Sequence, residues 1–217
     1  MRSAAESARL TTSFALLIGL AIAGPARAQT AGDPSVVEVH GGTAAFTVET
    51  NISAISVHGK SNALTARLRL RQAADGAVLE GIEAAVPVKS LVTGMGLRDE
   101  HMRKHVFTTG DGQLPDLRFS ADKAVCSKVA ARQSTCELSG SLAIRGTARP
   151  FTIVLKVSED GETLRAVGDG IVMLSAYGID RPTQLGVQTA DDVKLHLDLK
   201  AKPAGPGAVA TAGSSAR

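Results

Sequence analysis

His101 and His105 stand four residues apart, and on a helix that spacing puts both imidazoles on one face, where they can share a metal ion. Asp99 and Glu100 are beside them. The order is not His-Glu-x-x-His, and no third histidine is placed obviously near. A rim histidine and a surface one are therefore the plainer expectation, and a metal-assisted hydrolase is the competing one. The other groups capable of chemistry lead nowhere. Ser90, Ser139 and Ser141 lack the Gly-x-Ser-x-Gly elbow that raises a nucleophile above a sheet. Gly168-Asp169-Gly170 opens no helix and so makes no phosphate cradle. His40, His58 and His196 are isolated in strand-like sequence, where a solvated or packed imidazole is the default. No catalytic residue, metal or cofactor is expected.

The elements that would position these groups begin after a leader. Arg2 and Arg9 precede a short apolar run from Phe14 to Ala23, and Ala26-Arg27-Ala28 offers a small-x-small cleavage site. Residues 1–28 read as a signal peptide for export, most simply to a periplasm. The apolar run is too short to span a bilayer, and no second long one follows, so no membrane-spanning helix is expected. Removing the leader takes Lys+Arg from 24 to 21 and Asp+Glu from 21 to 20, leaving a net charge of about +1. With 3% aromatic residues and no Trp, the chain also lacks a stacking platform. Nucleic acid is excluded as a partner on both grounds.

Export changes the meaning of Cys126 and Cys136, which flank a polar, alanine-rich turn. In an oxidising compartment they are expected to bridge one hairpin. Closing so short a loop contributes at most about 2–3 kcal/mol, and the spacing is wider than the Cys-x-x-Cys of redox pairs.

Most of the chain alternates with period two. Leu64, Ala66, Leu68 and Leu70 oppose Thr65, Arg67, Arg69 and Arg71; Leu138, Leu142 and Ile144 oppose Ser139, Ser141 and Arg145; Leu195, Leu197 and Leu199 oppose His196, Asp198 and Lys200. Gly41-Gly42 is expected to break the first strand, Asp75-Gly76 and Asp160-Gly161 to turn the chain, and Gly146 to Pro150 to form a turn. The pattern stops once. From Leu97 to Val106, Leu97, His101, Met102 and Val106 fall at helical spacing, which predicts a helical turn laying its apolar side over one end of a β structure. The segment from 202 is Ala/Gly/Pro/Ser-rich and is expected to be a disordered tail.

The fold class expected is all-β, an antiparallel structure of about eight strands over residues 29–201, with the short helix near one end. A sandwich fills its centre with bulky side chains from both sheets, and this chain has only five Phe and one Tyr. An eight-stranded barrel with an aliphatic lining can instead leave room for a small ligand. An outer-membrane barrel would need aromatic girdles that the composition lacks.

Several of these residues carry a likeness. Val88, Ser90, Leu91 and Thr93, then Arg98-Asp99-Glu100-His101-Met102, Val106-Phe107 and Leu114-Pro115-Asp116-Leu117-Arg118-Phe119 resemble the central block of the YceI-like family of periplasmic lipid-binding proteins. The Leu138 to Pro150 hairpin, with Gly140, Gly146 and Thr147, and the Tyr177-Gly178-Ile179 segment are similar to later parts of the same family. Met102 stands where the family usually has Leu, Leu114 where an aromatic is common, and the cysteine pair is not a general family feature. The resemblance implies a lipocalin-like extended barrel holding an isoprenoid lipid, a prenylated quinone or isoprenyl phosphate, or another long-chain amphiphile.

The residues expected to line that space are Phe46, Leu68, Val86, Leu97, Met102, Phe107, Phe119, Leu142, Phe151, Ile153 and Leu195. Arg98, Asp99 and His101 are the headgroup candidates at the mouth, Arg98 and Asp99 having a second reading as ties between the helical turn and the rim. A solid barrel serving as a stress-response interaction module is the alternative binding class, and homodimerisation is left open.

Overall fold

The structure is a computed structural model in which residues 35–73, 76–160 and 163–201 are described. The expected signal peptide (1–28), the tail (202–217) and the centres of two turns (74–75 and 161–162) lie outside the described residues.

Eight long antiparallel strands close on themselves. They are β1 (Ser35–Thr50), β2 (Ser56–Ala73), β3 (Gly76–Val86), β4 (Leu117–Ala130), β5 (Gln133–Ile144), β6 (Thr147–Asp160), β7 (Thr163–Met173) and β9 (Val187–Ala201), with a two-residue β8 (Thr183–Gln184) paired to β9. Each long strand pairs with the next in sequence, β7 pairs with β9, and β1 pairs with β9 to shut the barrel. Closure gives every long strand a partner on both sides over part of its length, which limits the edge open to edge-to-edge association; residues 76–81 of β3 and 147–153 of β6 each lack a partner on one side. The expectation of an antiparallel barrel of about eight strands is met.

The helical turn expected from Leu97 to Val106 is α1 (Gly96–Met102), which runs on as a π-helical turn, Arg103–Phe107. It lies in the β3–β4 connection. The β1–β2, β5–β6 and β7–β9 connections belong to the same end of the barrel, which we call the mouth. The β2–β3, β4–β5 and β6–β7 hairpins turn at the other end, the base. The described chain starts at Ser35, opposite Leu70, and finishes at Ala201, opposite Leu164, so both of its ends are at the base.

Two turn expectations are corrected. Gly41-Gly42 does not break β1, which runs through with register shifts on both sides of Gly42. A side chain at Gly42 would meet Leu199 Cδ2 at 2.8 Å, so the glycine admits a close approach inside a bulge. The β5–β6 turn is confined to Arg145 and Gly146, both at positive φ (53° and 75°), and Pro150 falls inside β6. Proline is tolerated there because the β6–β7 ladder begins only at Val154, opposite Asp169, so the Pro150 nitrogen interrupts no ladder on that side.

Cys126 and Cys136 are direct cross-strand partners in the β4–β5 hairpin and are disulfide-bonded, with Cα atoms 4.0 Å apart. The bridge lies toward the base.

Candidate functional site

Alternation decides which side chains point inward, but the interior is not uniform along the barrel axis. Toward the base it is filled. Leu64, Leu138, Ile153 and Leu155 are among the bulkiest fully buried side chains, and Val39, Leu68 and Leu70 pack with them. Toward the mouth a cavity of ≈480 Å³ opens beneath α1, bounded mainly by β1, β9, the β3–β4 connection and the β7–β9 connection, with no residue of β6 in its lining.

Of the residues expected to line it, Phe46, Val86, Leu97, Met102, Phe107 and Leu195 do so. Leu68, Leu142 and Ile153 belong to the packed core, while Phe119 and Phe151 meet edge to face, ring centroids 5.9 Å apart, without lining the cavity. The remaining walls come from residues the sequence reasoning did not single out, among them Ala44, Val48, Leu117, Ile144, Val172 and Val193. Val48, Leu117, Ile144 and Val193 share a face with residues that were chosen, so the alternation was a sufficient signal for direction. It carries no information about depth.

The helical lid is only partly as expected. Met102, Val106 and Phe107 are buried and close the cavity from above, whereas Leu97, expected on the same apolar face, is 77% exposed at the mouth. Leu97 sits in the first turn of a seven-residue helix, before the stretch that lies against the barrel. Met95 and Leu185 also line the cavity while exposed, giving the opening an apolar rim.

A compact polar clamp holds the lid. Asp99 is buried and accepts hydrogen bonds from the Thr93 backbone N–H (2.7 Å) and hydroxyl (2.5 Å). Arg98 donates from Nε to the Thr93 hydroxyl oxygen (2.9 Å) and from Nη2 to the Thr93 carbonyl (2.8 Å). The loop that carries Thr93 is pinned to β2 by reciprocal backbone bonds between Lys60 and Val92, 2.9 and 3.0 Å. Arg98 and Asp99 thus tie helix to rim. Arg98 also borders the cavity, as Asp99 does not.

His101 lines the cavity, and its ring lies 4.3 Å from that of His105, centroid to centroid. Burial, and then the positive charge of His105 and Lys104, hold the His101 imidazole below its ordinary pKa. Among the described residues, no three His, Cys, Asp or Glu side chains gather to hold a metal ion. His58 bonds to the Thr47 and Ser56 hydroxyls and His196 to Asp169, all in exposed positions. Apart from Arg98 and His101, the polar lining is Thr50, Thr93, Gln184 and Thr189.

The class defined by fold and site together is a closed antiparallel barrel with an apolar cavity at one end beneath a short helix. The chain belongs to the YceI-like domain family, whose model matches residues 33–201. Solved structures share the fold at low identity. BcnA of Burkholderia cenocepacia is 16% identical with a TM-score of 0.58, the match covering 74% of this chain and 96% of that one. A polyisoprenoid binding domain from Saccharophagus degradans, implicated in plant cell wall breakdown, is 12% identical with a TM-score of 0.54, covering 78% and 99%. The YceI protein of Campylobacter jejuni is 17% identical with a TM-score of 0.54, covering 68% and 85%. No curated protein matches the chain in sequence.

Proposed function

We propose that the protein is a non-enzymatic carrier, exported to a periplasm, that holds the apolar tail of an isoprenoid lipid in the mouth-end cavity. The observation that carries this reading is the ≈480 Å³ cavity itself, walled almost wholly by aliphatic side chains and Phe rings. Apolar space of that size, open at the mouth, lies within the range of small-molecule sites, about 300–1,000 Å³, and an apolar lining left to water is costly, which favours an apolar guest. The polyisoprenoid binding described for the Saccharophagus domain supports the same class of guest. Export is supported by the leader-like first residues and by the disulfide, which suits an oxidising compartment. With the tail inside, the polar end, a quinone ring or a phosphate, stays at the rim near Arg98 and His101. The protein is to be purified from its native compartment without detergent and its extracted lipids identified by mass spectrometry. A prenyl lipid in stoichiometric amount is expected, and repeated preparations without any lipid would overturn the carrier reading.

A further inference from the structure

We infer that the mouth of the barrel docks on the surface of a lipid bilayer, the apolar side chains of its rim entering the headgroup layer. The inference rests on the carrier reading and adds the partner that delivers or receives the guest. Three loops make the rim: the β1–β2 turn (residues 51–55), the start of the β3–β4 connection (92–97) and the β8–β9 hairpin (183–188). Each exposes apolar side chains, Ile52 and Ile55 on the first, Val92, Met95 and Leu97 on the second, and Leu185 on the third. Asn51 ties the first loop to the third. Its backbone N–H donates to the Gln188 carbonyl (2.9 Å) and its Nδ2 to the Gly186 carbonyl (3.2 Å), while its Oδ1 accepts from the Gln188 N–H (2.9 Å). Ile55, Met95, Leu97 and Leu185 border the same cavity, so exposed rim and inner lining form one apolar path.

The missing charge says what covers this surface. The three loops read Asn-Ile-Ser-Ala-Ile, Val-Thr-Gly-Met-Gly-Leu and Thr-Gln-Leu-Gly-Val-Gln, without one Asp, Glu, Lys or Arg in a chain that is 21% charged, so composition does not account for them. The margin of a protein–protein interface is polar. Loops carrying only apolar side chains, hydroxyls and amides suit the edge of a bilayer, where a buried charge is costly. Charges of both signs begin directly behind the tips, at Glu49, Lys60, Arg98, Glu100, Asp180 and Arg181, and balance one another. The attraction is therefore apolar, with no preference for anionic lipid.

Leu185 is the sharpest sign. It is 97% exposed, and with Gly186 it forms the two-residue loop between the paired Gln184 and Val187, at φ 51° and 80°. Positive φ at both positions favours asparagine or aspartate at the first. A leucine there is strained and packs against nothing inside the protein. Burial in acyl chains outside the protein is what makes its apolar side chain favourable.

The test floats the full chain with phosphatidylcholine vesicles on a density gradient and reads the lipid carried by the protein with mass spectrometry. The unaltered protein is expected to float, with a partition that about 0.5 M salt or added phosphatidylglycerol changes less than about twofold. Ile52→Asp, at a side chain outside the cavity lining, should lower the partition about tenfold. Leu185→Asn should lower it by a similar factor and raise the melting temperature, a pair of changes that damage to the fold does not produce. A protein that stays at the bottom of the gradient, floats only with anionic vesicles at low salt, or floats equally well in both variants overturns the docking face. So does a dimer, seen by light scattering without vesicle binding, that Ile52→Asp dissolves. In each of those cases a lipid carried by the unaltered protein leaves the carrier reading standing, and flotation without any carried lipid overturns that reading alone.

Discussion

The two halves of this barrel are made from the same kind of strand and do opposite things with it. Toward the base, the interior is filled by side chains such as Leu138 and Leu155, and the β4–β5 hairpin is held by its disulfide, although β3 and β4 pair only from Ile82 and Ala121 to Val86 and Leu117. At the mouth, α1 and the turn after it lie over the end of the barrel, and the same inward alternation surrounds space instead of meeting in the middle. The difference teaches that hollowness here is not a property of lining composition alone. Aliphatic residues close the base as well as they line the cavity. What differs at the mouth is that the β3–β4 and β7–β9 connections supply much of the wall.

Substitutions that treat the halves differently test that division. The largest effect is expected from Leu138→Ala, which should cost about 3–5 kcal/mol in urea unfolding because the site is fully enclosed. Leu195→Ala, bordering existing space, should cost about 2 kcal/mol or less and change lipid affinity instead. Equal losses at the two sites would erase the distinction. Next, Cys126→Ser with Cys136→Ser should lower stability by about 2–3 kcal/mol, given the 10-residue separation, with lipid affinity within twofold of the original. A large fall in affinity would show that the base shapes the cavity directly.

At the mouth, Asp99→Asn keeps the shape of the clamp but removes its charge, and should cost about 1–2 kcal/mol. Stopped-flow release should be several-fold faster, and unchanged release would mean that the lid does not gate the guest. The smallest effect concerns His101. Its imidazole is held below the ordinary value of about 6.5 in the folded protein, so the unfolded chain binds the proton first as pH falls. Its contribution is present above that value and is lost as the solution is acidified toward the folded pKa. Thermal melts from pH 7 to pH 5 should show a slight decline that His101→Gln flattens, and an unaltered slope would assign the decline to other groups.

The sequence made the wall legible and left the interior unreadable in depth. Leu64, Ala66, Leu68 and Leu70 announce a face, and all four are buried. Nothing in a period of two says whether Leu68 or Leu195 borders space, because level along the barrel follows from register, and register shifts at Gly42 and between Ser120 and Lys123 come from bulges. Phe119 and Phe151 were expected in the lining for the same reason. Their partnership spans an intervening strand, which one strand's pattern cannot express. The lid was visible as a change of period, yet Leu97, which does line the cavity, stands exposed at its rim instead of buried with Met102, since helical spacing does not reveal which turn touches the barrel.

Both ends of the described chain leave from the base. An affinity handle or fluorescent domain fused beyond either one, or a linker fixing the protein to a sensor surface, is therefore attached on the side opposite the opening. Immobilised in that way, the barrel would present its mouth to the solution, ready for exchange with vesicles flowed across it.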